Sequence, residues 1–489
     1  MTQRGQTPLS QACTLLRMLT VTGHDLSLPL LVEAARRPGP VGLHADALER
    51  MAVNRAFTER VVERGDRVYG LTTGVGIRKE RTVDAAAMRE FNRRLMREHA
   101  TGQGPALPAD VVRAAGILLL NQLAAGRTNV RPVVAERIAE RLSAGVAPEV
   151  PMYGTTGMGD IQPLAHLAPA LLDGLELEAG EALPLIGQGS VVTAHAALAL
   201  YDAEILLESI TTLTALDVEA FAANPSPFHP AAGEVRPYPG YRRALAAIGE
   251  LLDGTGLADD PRHLQAPLAF RDAAAVLGAA YDAFAFCLRQ VSLELNAHQQ
   301  NPLALMEEDR MVPVANFDLQ ALAAAMDFAR IALAPCLTAQ CERSIKLLQA
   351  SQTGLTHGLE APGDELGNGL SETAWPLQAL TAEARLLIAP VSAETGSSLQ
   401  AEGIEDRMTM AGLGARRLAE MTELGFRALA ISATIAAQAA DLRGLDRLGP
   451  NLAFVHGRIR QHVGPLGPGE PPPADWEPLV AALRSGLLA

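Results

Sequence analysis

The chain has 489 residues, of which 48% are hydrophobic but only 4% aromatic, and a formal net charge of −14. That balance argues against nucleic acid, whose phosphates need a basic footprint, and against an anionic membrane surface. A core this large and this poor in rings must be built from Ala, Leu, Val and Ile, which suits closely spaced helices.

Taken in chain order, Leu28 to Arg67 reads as short helices forming a small N-terminal layer. A Gly-rich loop, Gly70 to Arg78, follows. Leu107 to Ser143 is a long amphipathic stretch broken at Gly126-Arg-Thr-Asn, and Pro148 to Pro163 is a second loop. Ser190 to Ala222, Asp272 to Ala297, Leu319 to Gln352, Ser371 to Gln400 and Thr409 to Leu442 then show apolar residues at three- and four-residue spacing. At 1.5 Å per residue, helices of such lengths span roughly 35–50 Å. Loops at Asn224 to Pro239, Gly354 to Gly369 and Gly464 to Pro473 separate them, and Trp476 to Leu488 reads as a last short helix. Alternating strand patterns are nearly absent, so the expectation is an all-α bundle of long helices, with residues 1–190 as an N-terminal region and 191–489 as the bundle and C-terminal helices.

Cys13, Cys287, Cys336 and Cys341 show no CxxC and no metal-ligand spacing, which points to buried thiols in a reducing compartment. The histidines also lack ligand spacing, so no catalytic metal is expected. The N-terminal Met-Thr-Gln-Arg-Gly-Gln has no basic stretch leading into an apolar core, and no uncharged run reaches the ~18–20 apolar residues of a membrane span. These readings predict a soluble, cytoplasmic chain.

Several short motifs point to chemistry. Tyr69-Gly-Leu-Thr-Thr-Gly-Val-Gly76, Leu95-Met-Arg-Glu-His-Ala-Thr-Gly102, Asn121-Gln-Leu-Ala-Ala-Gly-Arg127, Gln265-Ala-Pro-Leu-Ala-Phe-Arg271, Asn296 to Pro302, Asn316-Phe317 and Gly403-Ile-Glu-Asp-Arg-Met408 occur in this order. Between them lies Pro151-Met-Tyr-Gly-Thr-Thr-Gly-Met-Gly-Asp-Ile-Gln-Pro-Leu-Ala-His166. Together they resemble the aromatic amino acid ammonia-lyases, which include the histidine and phenylalanine enzymes. The matching family segments read roughly Y-G-x-N-T-G-F-G, N-L-x-x-S-H-A-A-G, N-S-L-x-x-G-x-S, Q-D-P-Y-S-L-R, N-A-x-S-D-N-P, G-N-F-H, Q-E-D-x-x-S-M and G-S-V-G-A-S-G-D-L-A-P-L-A-H. The resemblance implies a histidine ammonia-lyase-type helical bundle and a homotetramer whose active sites draw on three subunits. It also implies a small-molecule substrate.

In that family an Ala-Ser-Gly triad closes on itself and dehydrates to a methylidene-imidazolone (MIO) electrophile. Registered on Gly-Asp-x-x-Pro-Leu-Ala-His, the triad here is Gly157, Met158 and Gly159. Forming the exocyclic alkene needs a leaving group on the middle Cβ, which Ser has and Met lacks, so MIO is not expected and no other cofactor is implied. Other departures fall around the same chemistry. Gly187 stands for the substrate-contacting Asn, Leu268 for the second catalytic Tyr, Thr72 for the Asn after Tyr-Gly-x, Asp318 for the His of N-F-H, and Ile404 for the Gln of Q-E-D. Tyr69, His99, Gln265, Arg271, Asn316, Phe317 and Glu405 are retained.

Four of the retained residues have two readings. Free tyrosine has a pKa near 10, so Tyr69 acts as a base only with nearby donors or positive charge; otherwise it is an aromatic plug in a turn. Arg271 suits bidentate capture of a substrate carboxylate or an internal ion pair. Glu405 suits contact with a substrate ammonium or proton relay, or belongs to a solvated charge run with Asp406 and Arg407. His99 matches the family residue that selects the side chain, or is a capped histidine. Thr155-Thr156-Gly157 offers a displaced triad with a Cβ hydroxyl, two residues early. The best-fitting expectation is an ammonia-lyase-fold enzyme working without MIO on an amino-acid-like carboxylate. The alternatives are a non-catalytic homologue binding a small molecule or partner, and a genuine ammonia-lyase.

Overall fold

The computed structural model describes residues 18–84, 87–258, 261–363, 367–393 and 400–489. Cys13 and the N-terminal segment weighed as a targeting signal lie outside them, as do residues 364–366 and 394–399 of expected elements. The chain forms two compact units. Residues 1–154, 161–187 and 298–316 belong to the first, and residues 155–160, 188–297 and 317–489 to the second.

In the first unit, Leu28–Arg36 and Ala45–Glu63 are the expected short helices, accompanied by a parallel pairing of Leu19–Val21 with Val41–Leu43. Phe57, Val61, Val68, Leu71 and Ala304 pack into one buried cluster, which fixes the start of the Tyr69 loop. Ala109–Ala124 and Pro132–Ser143 are separate helices. The break between them is forced by Gly126 and Asn129 at φ +71 and +63, values suited to Gly and tolerated by Asn. Two further strand pairs, Gln103–Ala106 with Pro151–Tyr153 and Leu303–Leu305 with Arg310–Val312, are only three or four residues long. Their shortness explains why alternation is weak in the sequence.

The second unit is the long-helix bundle. Ala411–Arg443 packs along Ser190–Phe221 and against Gln320–Leu347, which in turn packs on Ala273–Glu294. Small residues set these approaches. A Cβ on Gly278 would fall 2.5 Å from Tyr241 Cα, and one on Gly425 would fall 2.4 Å from Leu206 Cδ2. Cys287, Cys336 and Cys341 are free and buried, and burial pushes the Cys287 and Cys336 thiols up to about 12.

Two expectations need correction. Among the described residues of the stretch expected as a helix from 371 to 400, Ser371–Thr373 is a 3-10 turn and only Ala374–Leu386 is α-helical. Arg330 captures the carbonyls of Leu387 and Ala389, Asp327 accepts the amides of Val391 and Ser392, and Pro390 disfavours helix at its predecessor. Three helical stretches, Ala182–Phe221, Ala273–Glu294 and Gln320–Leu347, are long and apolar enough by length and composition to cross a membrane, against the sequence reading. For the first of these, 89% of the apolar window is buried inside the protein, so the bundle core itself accounts for its composition.

Candidate active site

The first unit carries Tyr69, Thr72, His99, Gly187 and Asn316. Tyr69 is half-buried, and its Oη accepts the Gly76 amide at 3.1 Å across the loop. Gly70 beside it sits at φ +67, and a Cβ there would lie 2.4 Å from Leu183 Cδ2. Thr72 closes the turn: its hydroxyl accepts the Val68 amide at 2.9 Å and donates to the Asp66 carbonyl at 2.6 Å. His99 ends the helix Met88–His99, with Nδ1 2.7 Å from the Leu95 carbonyl. A carbonyl only accepts, so Nδ1 carries the proton and the lone pair of the neutral ring is on Nε2. Gly187 ends the short helix Ala182–Ile186 through a 2.7 Å bond to the Leu183 carbonyl, and Asn316 is exposed. His166 accepts the Gly102 amide at Nε2, 3.2 Å away, so the Pro-Leu-Ala-His and His-Ala-Thr-Gly motifs meet.

The second unit carries Gln265, Leu268, Arg271, Phe317, Glu405 and the loop of Gly157, Met158 and Gly159. Arg271 ends the short helix Leu268–Arg271, and its Nη1 donates to Gln265 Oε1 at 2.6 Å. Its Nε is buried with no hydrogen-bond partner among the described residues, an orphan donor of the kind a bound carboxylate satisfies. Two devices fix this turn. Phe270 is buried and stacks on Phe221 at 4.2 Å, and Arg343 Nη1 donates to the Ala269 carbonyl at 2.9 Å. Arg343 is itself 1% exposed and spends its remaining donors on Asp217, Thr214 and Gln340. Leu268 is 60% exposed, Phe317 is half-buried, and Glu405 lies in an exposed run with Asp406 and Arg407.

Gly157, Met158 and Gly159 sit in a loop crossed by hydrogen bonds. Gly157 and Gly159 take φ +83 and +81, while Met158 forms an antiparallel bridge with Asp318. Thr409 Oγ1 donates to the Gly157 carbonyl at 2.9 Å, and the Gly157 amide donates to Thr155 Oγ1 at 3.0 Å. The Thr156 carbonyl accepts the amides of Thr409 and Met410 at 3.1 and 2.9 Å. Asp160 anchors the far end: its carboxylate accepts from Thr155 Oγ1 and from the Val192 amide, both at 2.8 Å, at the start of Ser190–Phe221. Burial pushes this carboxyl up to about 6 although those donors favour its charged form.

Residues 157–159 do not fit the ring formed by the family that the motifs resemble. Met158 offers no β-leaving group, and the methyl of an alanine at 157 would lie 2.1 Å from Thr409 Oγ1. Among the described residues no group of three or more His, Cys, Asp or Glu is placed to hold a metal ion. Sequence reasoning passed over Asp160, Thr409 and the pairing of Asp318 with Arg407 at 2.9 Å, and weighed Thr155 only as part of a displaced triad, not as a partner of Asp160. The available signals were the Gly-Asp after the triad and Thr409 at the serine position of Q-E-D-x-x-S-M.

The aromatic amino acid lyase family model matches residues 26–174 and 172–461. Histidine ammonia-lyase of Sorangium cellulosum is 32% identical over 503 residues, covering 95% of this chain and 97% of the relative. Among solved structures, ergothionase from Treponema denticola, an ergothioneine-degrading enzyme bound to desmethyl-ergothioneine sulfonic acid, is similar with a TM-score of 0.88 at 27% identity, covering 96% of this chain and 99% of that one. Tyrosine aminomutase from Streptomyces globisporus gives 0.90 at 28% identity, covering 96% and 98%. With the motif order, the helical bundle and these likenesses in agreement, the chain belongs to the aromatic amino acid lyase family and is an enzyme of the ammonia-lyase kind.

Proposed function

We propose that this enzyme works without MIO, using Tyr69 to move a proton on an amino-acid-like substrate whose carboxylate is held by Arg271. The observation that carries the reading is Met158, a thioether side chain at the position where the family needs a β-hydroxyl. Support for the carboxylate site comes from Arg271, braced on one side by Gln265 while its buried Nε lacks a partner among the described residues. Gln265, Phe317, His99, Asn316 and the substituted positions Leu268, Gly187 and Thr72 line the substrate in this reading, and Glu405 meets its ammonium or relays a proton.

An unmodified aromatic amino acid has a poor leaving group and a weakly acidic β-proton, which is why the family's electrophile matters. A substrate with a better leaving group, or an already activated Cβ–H, does not need it. The reaction is then elimination, conjugate addition, cyclisation or isomerisation adjacent to a carboxylate. The likeness to an ergothioneine-degrading enzyme and to an aminomutase supports a scaffold that takes amino-acid derivatives and more than one outcome.

The shared-site homotetramer belongs to the same proposal. Phe328 and Ile331 on Gln320–Leu347 and Leu293 on Ala273–Glu294 are 44%, 45% and 62% exposed, large apolar side chains that an assembly would cover. The test of function is ammonia release from L-His, L-Phe and L-Tyr by purified protein. None is expected, and release from any of the three overturns the reading.

A further inference from the structure

Ring closure at a triad has a strict backbone requirement. The amide nitrogen of the third residue attacks the carbonyl carbon of the first, expelling one water; the α-proton and β-hydroxyl of the middle residue then leave as a second. The chain must fold back at the middle residue for the two atoms to meet, and an extended residue holds them apart. Met158 is tied to Asp318 by an isolated antiparallel bridge, so folding back there must first break that backbone pairing. Asp318 is fixed in turn, its carboxylate taking Arg407 Nη1 at 2.9 Å and the Gln320 amide at 2.8 Å. Gln320 Oε1 accepts the second guanidinium nitrogen at 3.2 Å.

The other side of the loop is held by Thr409. Its hydroxyl and backbone amide take the carbonyls of residues 157 and 156, and the same hydroxyl fills the space a Cβ on residue 157 would need. In the family pattern position 318 is His and position 409 is Ser. The departures at 157 and 158 and the one at 318, far apart in the sequence, therefore meet in one mechanical arrangement.

We infer that Asp318 and Thr409 are positioning residues that brace this loop in a form unable to cyclise even with serine at 158. This inference rests on the MIO-free reading and deepens it: the site presents a fixed peptide wall at Met158 in place of an electrophile.

Three proteins test it by intact mass, peptide mapping of residues 154–160 and circular dichroism: Met158→Ser, Met158→Ser with Thr409→Ala, and Met158→Ser with Thr409→Ala and Asp318→His. The single variant keeps its full mass. The triple variant loses two waters within residues 157–159 and gains the near-ultraviolet absorbance of the conjugated ring. Should the triple variant not fold, the double variant, which retains the Asp318–Arg407 pair, carries the comparison and shows partial water loss. Water loss in the single variant overturns the brace, and so does full mass in a folded, unbraced variant. Failure of the MIO-free reading is distinguishable, because there the wild-type protein itself loses water.

Discussion

Arg343→Met tests how the bundle core serves the carboxylate site. Arg343 and Asp217 are 1% and 0% exposed, joined at 3.0 Å, with Gln340 also donating to Asp217 at 2.8 Å. Removing the guanidinium strands a buried carboxylate, already pushed up to about 6 by burial. Breaking one side of such a pair costs about 3–5 kcal/mol, and replacing both sides by apolar residues of similar volume is often neutral. At roughly 2 °C per kcal/mol for a unit of this size, Arg343→Met lowers the melting midpoint by roughly 6–10 °C. Arg343→Met with Asp217→Leu restores most of that loss. The Ala269 carbonyl is freed in both variants, so both bind carboxylate probes at Arg271 more weakly than wild type. Differential scanning calorimetry on the four proteins of the cycle measures the coupling. A single-variant shift under about 2 °C, or a double variant no better than the single, refutes the reasoning.

Tyr69→Phe abolishes turnover, once a substrate is in hand, while leaving its binding within a few-fold; unchanged turnover excludes Tyr69 as the proton carrier. Gly157→Ala forces a β-carbon to φ +83 and to 2.1 Å from Thr409 Oγ1, at a backbone cost of about 1–3 kcal/mol, read as a lower thermal midpoint that Thr409→Gly partly recovers. Asp160 supplies the pH prediction. Its folded value, about 6, lies above its ordinary one, so the fold favours the protonated form. Its stabilising contribution is complete below about pH 4 and is lost as pH rises through 6, up to about 3 kcal/mol. Wild-type stability relative to Asp160→Asn therefore falls between pH 4.5 and 7.5, and a pH-independent difference in urea melts contradicts this. Arg271→Gln raises the dissociation constant of a carboxylate substrate at least ten-fold by removing a fork that a neutral amide does not replace.

Much of the fold was legible because its signals are local. Ser190–Phe221 and Ala411–Arg443 each carry their own apolar periodicity, and the break at Gly126 to Asn129 is written in residues that accept positive φ. The candidate site was legible through motif order and through the chemistry Met158 lacks. What escaped notice depends on partners distant in sequence. Thr409 lies 252 residues from the Gly157 carbonyl it bonds, and Asp318 lies 89 residues from Arg407. The hold of Arg343 on Ala269 bridges 74 residues. The shortened helix at Ala374–Leu386 belongs with these, since Pro390 hinted at a stop but Arg330, which captures the carbonyls, comes from another helix.

The most direct measurement is the intact mass of the purified wild-type protein with peptide mapping across residues 154–160. An unmodified peptide through Met158 is the result expected here. A mass short by water in that peptide, whether at Gly157-Met158-Gly159 or at Thr155-Thr156-Gly157, contradicts the account.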